Sequence, residues 1–219
     1  MSAIDLQQLG AGFSHPAFGS QAIFRQVLQA LAGPGSEHRL QHDAEWPGQG
    51  DEAAAVALLA LLDADCRLWL SGGLRHGPVA AWLRFHTGCQ LVDHPGESQF
   101  AWFARGDQWP ALTECATGTD QYPDQSTTCL LEASLGLVEG STTAAPGEAM
   151  APSSWILSGP GLQQPRTVVI AGLPADFAAQ WQANHDSFPR GVDLLITSGP
   201  RLMGLPRSTR VQPAPMGGR

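Results

Sequence analysis

The 219-residue chain has no lysine; all 12 of its basic residues are arginines. Without that amine, no Schiff base to pyridoxal phosphate or to a carbonyl substrate can form within the chain. A P-loop of the usual form, with its lysine on the β- and γ-phosphates, is excluded as well. Codon bias toward GC, which also enriches Ala, Gly, Pro and Arg, is the simplest cause, and the chemical exclusion holds either way. Charged residues are scarce at 15% of the chain, against roughly 25% in an average soluble domain. The balance is acidic, with a formal net charge of -8, which argues against a nucleic-acid-binding module. The four cysteines, Cys66, Cys89, Cys115 and Cys129, include no Cys-x-x-Cys pair, so neither a zinc knuckle nor a thioredoxin-type motif is expected. No apolar run reaches the roughly 18 residues of a membrane span; the longest is Ala53 to Leu62. Met1 to Gly10 lacks a basic start followed by an apolar stretch, so no secretory leader is read there. A cytoplasmic protein with reduced thiols is expected.

What is present is apolar and rich in turns. Hydrophobic residues make up 43%, and 25 glycines with 17 prolines fill about a fifth of the chain. Residues 20 to 32 read as a helix, with Ser20 as N-cap and Ile23, Val27, Leu28 and Leu31 as its apolar face. Gly33-Pro34-Gly35 stops it. Asp51 to Asp63 read as a second helix, apolar nearly all round and therefore buried. Cys66 to Ser71 alternate as a strand, and Gly77-Pro78 start a third helix carrying Val79, Leu83 and His86. Further strands are expected at Gln90 to Asp93, Gln99 to Ala104, Thr128 to Ser134, Ser154 to Leu157 and Thr167 to Ala171. Pro174 to Ser187 read as a helix, and Val192 to Thr197 as a central strand. Residues 139 to 153 read as a loop and residues 213 to 219 as a disordered tail. The fold class expected is α/β: a single domain over residues 1 to 212, with a mixed sheet flanked by helices.

Few residues group into a chemical constellation. Ser158-Gly159-Pro160-Gly161 follows a strand and can present backbone amides to a phosphate, but the helix that should follow is missing. A plain strand-connecting turn competes with that reading. Arg201, Arg207 and Arg210 suit either a phosphorylated ligand or an acidic partner subunit. The candidate ligand-binding set is therefore Ser158, Gly159, Gly161 and Arg207. His86 and His185 sit near helix ends, where capping carbonyls competes with acid–base work. His38, His42, His76 and His94 lack metal-ligand spacing. Ser14, Ser126 and Ser158 lack the nucleophile elbow of a hydrolase. A hydrolase built on Cys89 and His86 would need the two side chains to face each other. No catalytic residue, metal or cofactor is assigned.

Several runs, in order and spacing, nevertheless resemble one family. They are Ser20-Gln21-Ala22-Ile23-Phe24-Arg25, continuing into Leu28-Gln29-Ala30-Leu31-Ala32-Gly33-Pro34-Gly35; Leu83-Arg84-Phe85-His86-Thr87; Thr117-Gly118-Thr119; Leu157-Ser158-Gly159-Pro160-Gly161; Phe188-Pro189-Arg190-Gly191-Val192-Asp193-Leu194-Leu195; and Leu205-Pro206-Arg207-Ser208-Thr209-Arg210-Val211. From about Gly12 to Val211 the chain is similar to PhnH, the H subunit of the bacterial carbon–phosphorus lyase core complex. The resemblance implies a fold related to pyridoxal-phosphate-dependent transferases that has lost the cofactor lysine. It also implies a homodimer docked with the G, I and J subunits. The reaction implied joins the ribose triphosphate of ATP to an alkylphosphonate with release of adenine, and its catalytic residues are best sought on the I subunit. This chain would then be structural and not catalytic alone; the alternative is a nucleotide- or phosphate-ester-binding subunit with its own site at the dimer interface. Departures from the family pattern are Arg190, Pro160 and a longer loop at 139 to 153.

Overall fold

The computed structural model describes residues 10–136 and 153–214. The loop read at 139 to 153, apart from Ser153, and residues 215–219 of the tail lie outside the described residues. In chain order the elements are α1 (Pro16–Ala32), β1 (Glu37–Arg39), α2 (Glu52–Leu61), β2 (Arg67–Leu70), α3 (Gly72–Arg75), α4 (Pro78–Thr87), β3 (Gln90–Leu91), β4 (Phe100–Phe103), β5 (Thr128–Glu132), β6 (Ser134–Leu135), β7 (Ser153–Ser158), β8 (Arg166–Ala171), α5 (Phe177–Asp186), β9 (Asp193–Ser198), β10 (Arg201–Leu205) and β11 (Arg210–Pro213).

The strands form two sheets. A mixed seven-stranded sheet runs β1-β10-β9-β5-β4-β2-β3. Its β9, β5, β4, β2 and β3 are parallel neighbours, while β10 and β1 pair antiparallel at one edge. A second, antiparallel sheet runs β11-β7-β8-β6. Because side chains alternate across a strand, the larger sheet feeds two cores. Leu130 and Leu195 join Ile23, Val56, Leu58, Trp82 and Leu83 beneath the helices α1, α2 and α4. Leu131, Leu194 and Ile196 point the other way, to Leu157, Ile170, Phe177, Trp181 and Val211 of the second sheet and α5. The large sheet is thus the middle layer.

Most elements follow from local pattern. Helix α2 is buried from Ala53 through Leu59, as its all-round apolar sequence requires. Helix α4 begins on Pro78 and ends on Gly88 in the left-handed conformation, φ 75°, the usual Pro-in, Gly-out asymmetry. Strand β9 is central and buried. Three departures matter. Helix α1 starts at Pro16, so Ser20 lies inside it and is not the N-cap, and Leu28 faces solvent instead of the core. The single strand expected over 128 to 134 is broken at Ala133, so that β5 serves the large sheet and β6 the small one. Pro213 belongs to β11, paired with Trp155, rather than to a tail. Strand β10 also escaped the periodicity reading. Its Gly204 has no side chain because a Cβ there would lie 2.4 Å from the Ala30 carbonyl oxygen of α1, so helix and sheet meet backbone to backbone.

Candidate functional site

Ser158, Gly159 and Gly161 lie in the turn that joins β7 to β8, an antiparallel pair. No helix follows, so no helix N-terminus adds its dipole there. Gly159 has φ 130° and Gly161 φ 83°, conformations that L side chains rarely adopt. A Cβ on Gly161 would sit 2.3 Å from the Ala32 carbonyl oxygen and 2.9 Å from Pro34 Cδ; one on Gly159 would sit 3.0 Å from the Ser208 carbonyl oxygen. These glycines press the turn onto the end of α1 and onto the segment entering β11. Gly161→Ala is expected to lower stability by about 2 kcal/mol or more, combining left-handed strain with the backbone clash; thermal unfolding measures it.

Arg207 is bound differently from what an anion clamp requires. Its Nε donates to Asp193 Oδ1 and Oδ2 at 3.1 and 3.2 Å. Nη1 donates to the carbonyls of Pro123 at 2.8 Å and Pro189 at 3.3 Å. Nη2 donates to Ser126 Oγ and Asp193 Oδ2, both at 2.5 Å. A guanidinium has five N–H donors, and these contacts occupy all five. The side chain is 12% exposed and that of Asp193 25%. Arg207 therefore ties the 123–126 loop, the Phe188–Pro189 turn and β9 into one junction. The other two arginines of the cluster also have partners within the chain. Arg201 pairs with Glu37 at 2.7 Å and donates to the Leu135 carbonyl; Arg210 reaches His185 Nε2 at 3.4 Å.

His86 and Cys89 make no nucleophile–base pair. His86 Nε2 lies 3.1 Å from the Gly10 carbonyl, and its ring meets Trp82 and Phe85 edge-on. Burial pushes the Cys89 thiol up, opposite to what an attacking thiolate needs. His185 Nδ1 lies 3.0 Å from the Arg207 carbonyl. Both histidines are thus occupied at main-chain carbonyls.

A buried acid with a raised pKa, Glu132, carries no motif in the sequence. Glu132 closes β5 and is 4% exposed. Its Oε1 accepts from the Asp51 N–H at 2.7 Å and from Trp102 Nε1 at 2.9 Å, and its Oε2 from the Arg105 N–H at 2.9 Å. Burial raises its pKa, and the Asp51 carboxylate beside it adds to the rise. Asp51 is raised by burial as well, against hydrogen bonds from the Gly199 amide and the Thr197 hydroxyl. This pair sits at the carboxyl ends of the parallel strands, where α/β sheets place ligands. The sequence signal was an acid directly after the apolar run Cys129-Leu130-Leu131. Yet both oxygens of Glu132 are taken by donors from strand β4 and from the segments at Asp51 and Arg105, so it acts as a clasp over this edge. Between the sheets, a groove of about 210 Å³ is lined by Gly35, Glu37, Leu135, Gly136, Thr167 and Met203 among others. That is smaller than the roughly 300 Å³ at which ligand pockets begin. Among the described residues, no group of three or more His, Cys, Asp and Glu side chains is placed to hold a metal ion, and no helix is long and apolar enough to cross a membrane.

Comparison with known proteins agrees with the sequence resemblance. The family model described as bacterial phosphonate metabolism protein (PhnH) matches residues 11–212. A protein of Rhizobium meliloti (strain 1021), named alpha-D-ribose 1-methylphosphonate 5-triphosphate synthase subunit PhnH, is 34% identical over 206 residues. The alignment covers 94% of this chain and 96% of that relative.

Proposed function

Because this chain belongs to the bacterial phosphonate metabolism protein (PhnH) family, we propose that it is a structural subunit of the carbon–phosphorus lyase core complex in organic phosphonate catabolism. In that role it supports transfer of the ribose triphosphate of ATP to an alkylphosphonate, with loss of adenine, while other subunits carry the chemistry. Its fold is read as one domain of the pyridoxal-phosphate transferase type, without the lysine that would hold that cofactor. Its partners are read as a second copy and the G, I and J subunits, in the cytoplasm.

One observation carries the non-catalytic reading: Gly161, Arg207 and Gly191, the residues of the family-like runs best suited to hold a ligand, are used up on internal junctions. Gly161 abuts Ala32 and Pro34. Arg207 has all its donors on protein acceptors. The Gly191 N–H donates to the Thr117 carbonyl, and a Cβ on Gly191 would strike Asn184. None of these groups is left over for a substrate. The alternative ligand site at Ser158, Gly159, Gly161 and Arg207 would require Arg207 to abandon Asp193.

The test is reconstitution. The chain alone is expected to release no adenine from ATP in the presence of methylphosphonate, whereas its omission from the co-expressed subunits abolishes synthase activity. Adenine release by the isolated chain, or full activity without it, overturns the reading. Calorimetry with ATP and ribose phosphates should give no binding heat; saturable binding abolished by Arg207→Ala would support the ligand site instead.

A further inference from the structure

We infer that the outer face of α1 is the docking surface for a different subunit, one that presents an apolar face carrying a carboxylate; this rests on the role just described. Helix α1 buries Ile23, Val27 and Ala30 against the rest of the fold. Its exposed side carries large apolar residues beside Gln21, Arg25 and Gln29. Phe18 is 75% exposed, Phe24 45% and Leu28 48%. Phe24 and Leu28 are four apart and so stand one turn above each other, with Phe18 less than two turns toward the N-terminus. A solvated helix face normally carries polar and charged side chains, and nothing in the internal packing calls for two phenylalanines and a leucine here.

The size of the patch fits a partner surface. With aromatic side chains presenting roughly 150–250 Å² each, the exposed parts of these three sum to roughly 300 Å². A standard interface buries about 800 Å² per partner, of which somewhat over half is apolar. One helix face therefore supplies most of the apolar area such an interface uses.

The charge pattern selects the kind of partner. Arg25 is the one charged residue among the 17 of α1, it is exposed, and it forms no ion pair with a described residue. In a two-fold pairing of α1 with its own copy, each patch residue meets the same patch. Because α1 carries no acid, Arg25 would find no countercharge on the facing copy of the helix. A different chain can place a carboxylate against Arg25 within an apolar surround, where a charge-assisted bond fixes register. An anionic lipid surface is disfavoured, because interfacial helices carry several basic residues on their polar face and this one carries a single arginine.

The full-length chain, co-expressed with the G, I and J subunits, provides the test. Phe24→Asp and Leu28→Glu are each expected to cut recovery of the other subunits on the tagged chain by about 30-fold, as for a hot-spot residue. Arg25→Glu should weaken it and Arg25→Lys retain most of it. Phe188→Asp, which alters an equally exposed aromatic away from α1, should leave recovery unchanged. Circular dichroism and the thermal midpoint of each variant alone should match the parent; Leu28→Gln serves if Leu28→Glu unfolds. If the parent chain recovers its partners and the α1 variants do so equally, the docking inference is wrong and the proposed function stands. If the variants lose only self-association, a second copy occupies this face and the inference is wrong. If the parent chain recovers no partner, both fall.

Discussion

Replacing Glu132 by alanine is expected to lower stability by about 3–5 kcal/mol, since each buried donor left unsatisfied costs about 1–3 kcal/mol and removal of a buried charge offsets part of that. The Asp51 and Arg105 amides and the Trp102 indole would all lose their acceptor at once. For a chain of this size the thermal midpoint should fall by roughly 10 °C. Glu132→Gln should cost less, because one oxygen remains for two donors while the amide nitrogen must face the Arg105 N–H. A midpoint unchanged in Glu132→Ala would mean that the segments meeting at this sheet edge are held by other contacts.

The same group sets a pH dependence. Glu132 and Asp51 both hold their protons more tightly in the folded chain than in the unfolded one. Folding therefore takes up protons, and stability from these groups is full below the unfolded carboxyl pKa values, 4.5 and 3.8. It is lost as pH rises from there through the raised folded values. Glu132→Gln should flatten that decline in urea titrations run from pH 4 upward. An identical slope in parent and variant would assign the decline to other groups.

Replacing Arg207 by methionine is the second large effect, at about 2–4 kcal/mol. A buried pair broken from one side costs about 3–5 kcal/mol, and the partial exposure of Asp193 reduces that. Asp193 would keep its charge without its cation, and the Pro123 and Pro189 carbonyls would lose their donor. Lysine should not restore the loss, because its single ammonium cannot reproduce a planar fork spanning four residues. In a double-mutant cycle with Asp193→Asn, urea unfolding should show strong coupling. If Arg207→Met unfolds like the parent chain, the junction is dispensable and the arginine is free for a ligand.

How much of this was readable beforehand depended on the range of the contacts. The Ala- and Leu-rich run of α2 and the buried run of β9 specify their own states, because few alternatives satisfy so many apolar neighbours. Pro78 and Gly88 mark the ends of α4 by backbone geometry alone. Strands β1, β10 and β11 are interrupted by arginines, a glycine and a proline, and become strands only because a partner edge supplies their hydrogen bonds. The break at Ala133 is equally invisible locally, since Leu130, Leu131 and Leu135 look alike until two sheets compete for them.

The sequence by itself excluded lysine chemistry, set the alternating helices and strands of an α/β chain, and carried the family resemblance, all properties of residue identity and short spacing. The tertiary structure alone decided what those residues do. Arg207 meets Asp193 across 14 positions and Pro123 across 84, and Glu132 meets Asp51 across 81. Whether an ionisable side chain serves a ligand or a junction depends on which distant donors and acceptors have already claimed it, and burial in a folded chain is what brings them within reach.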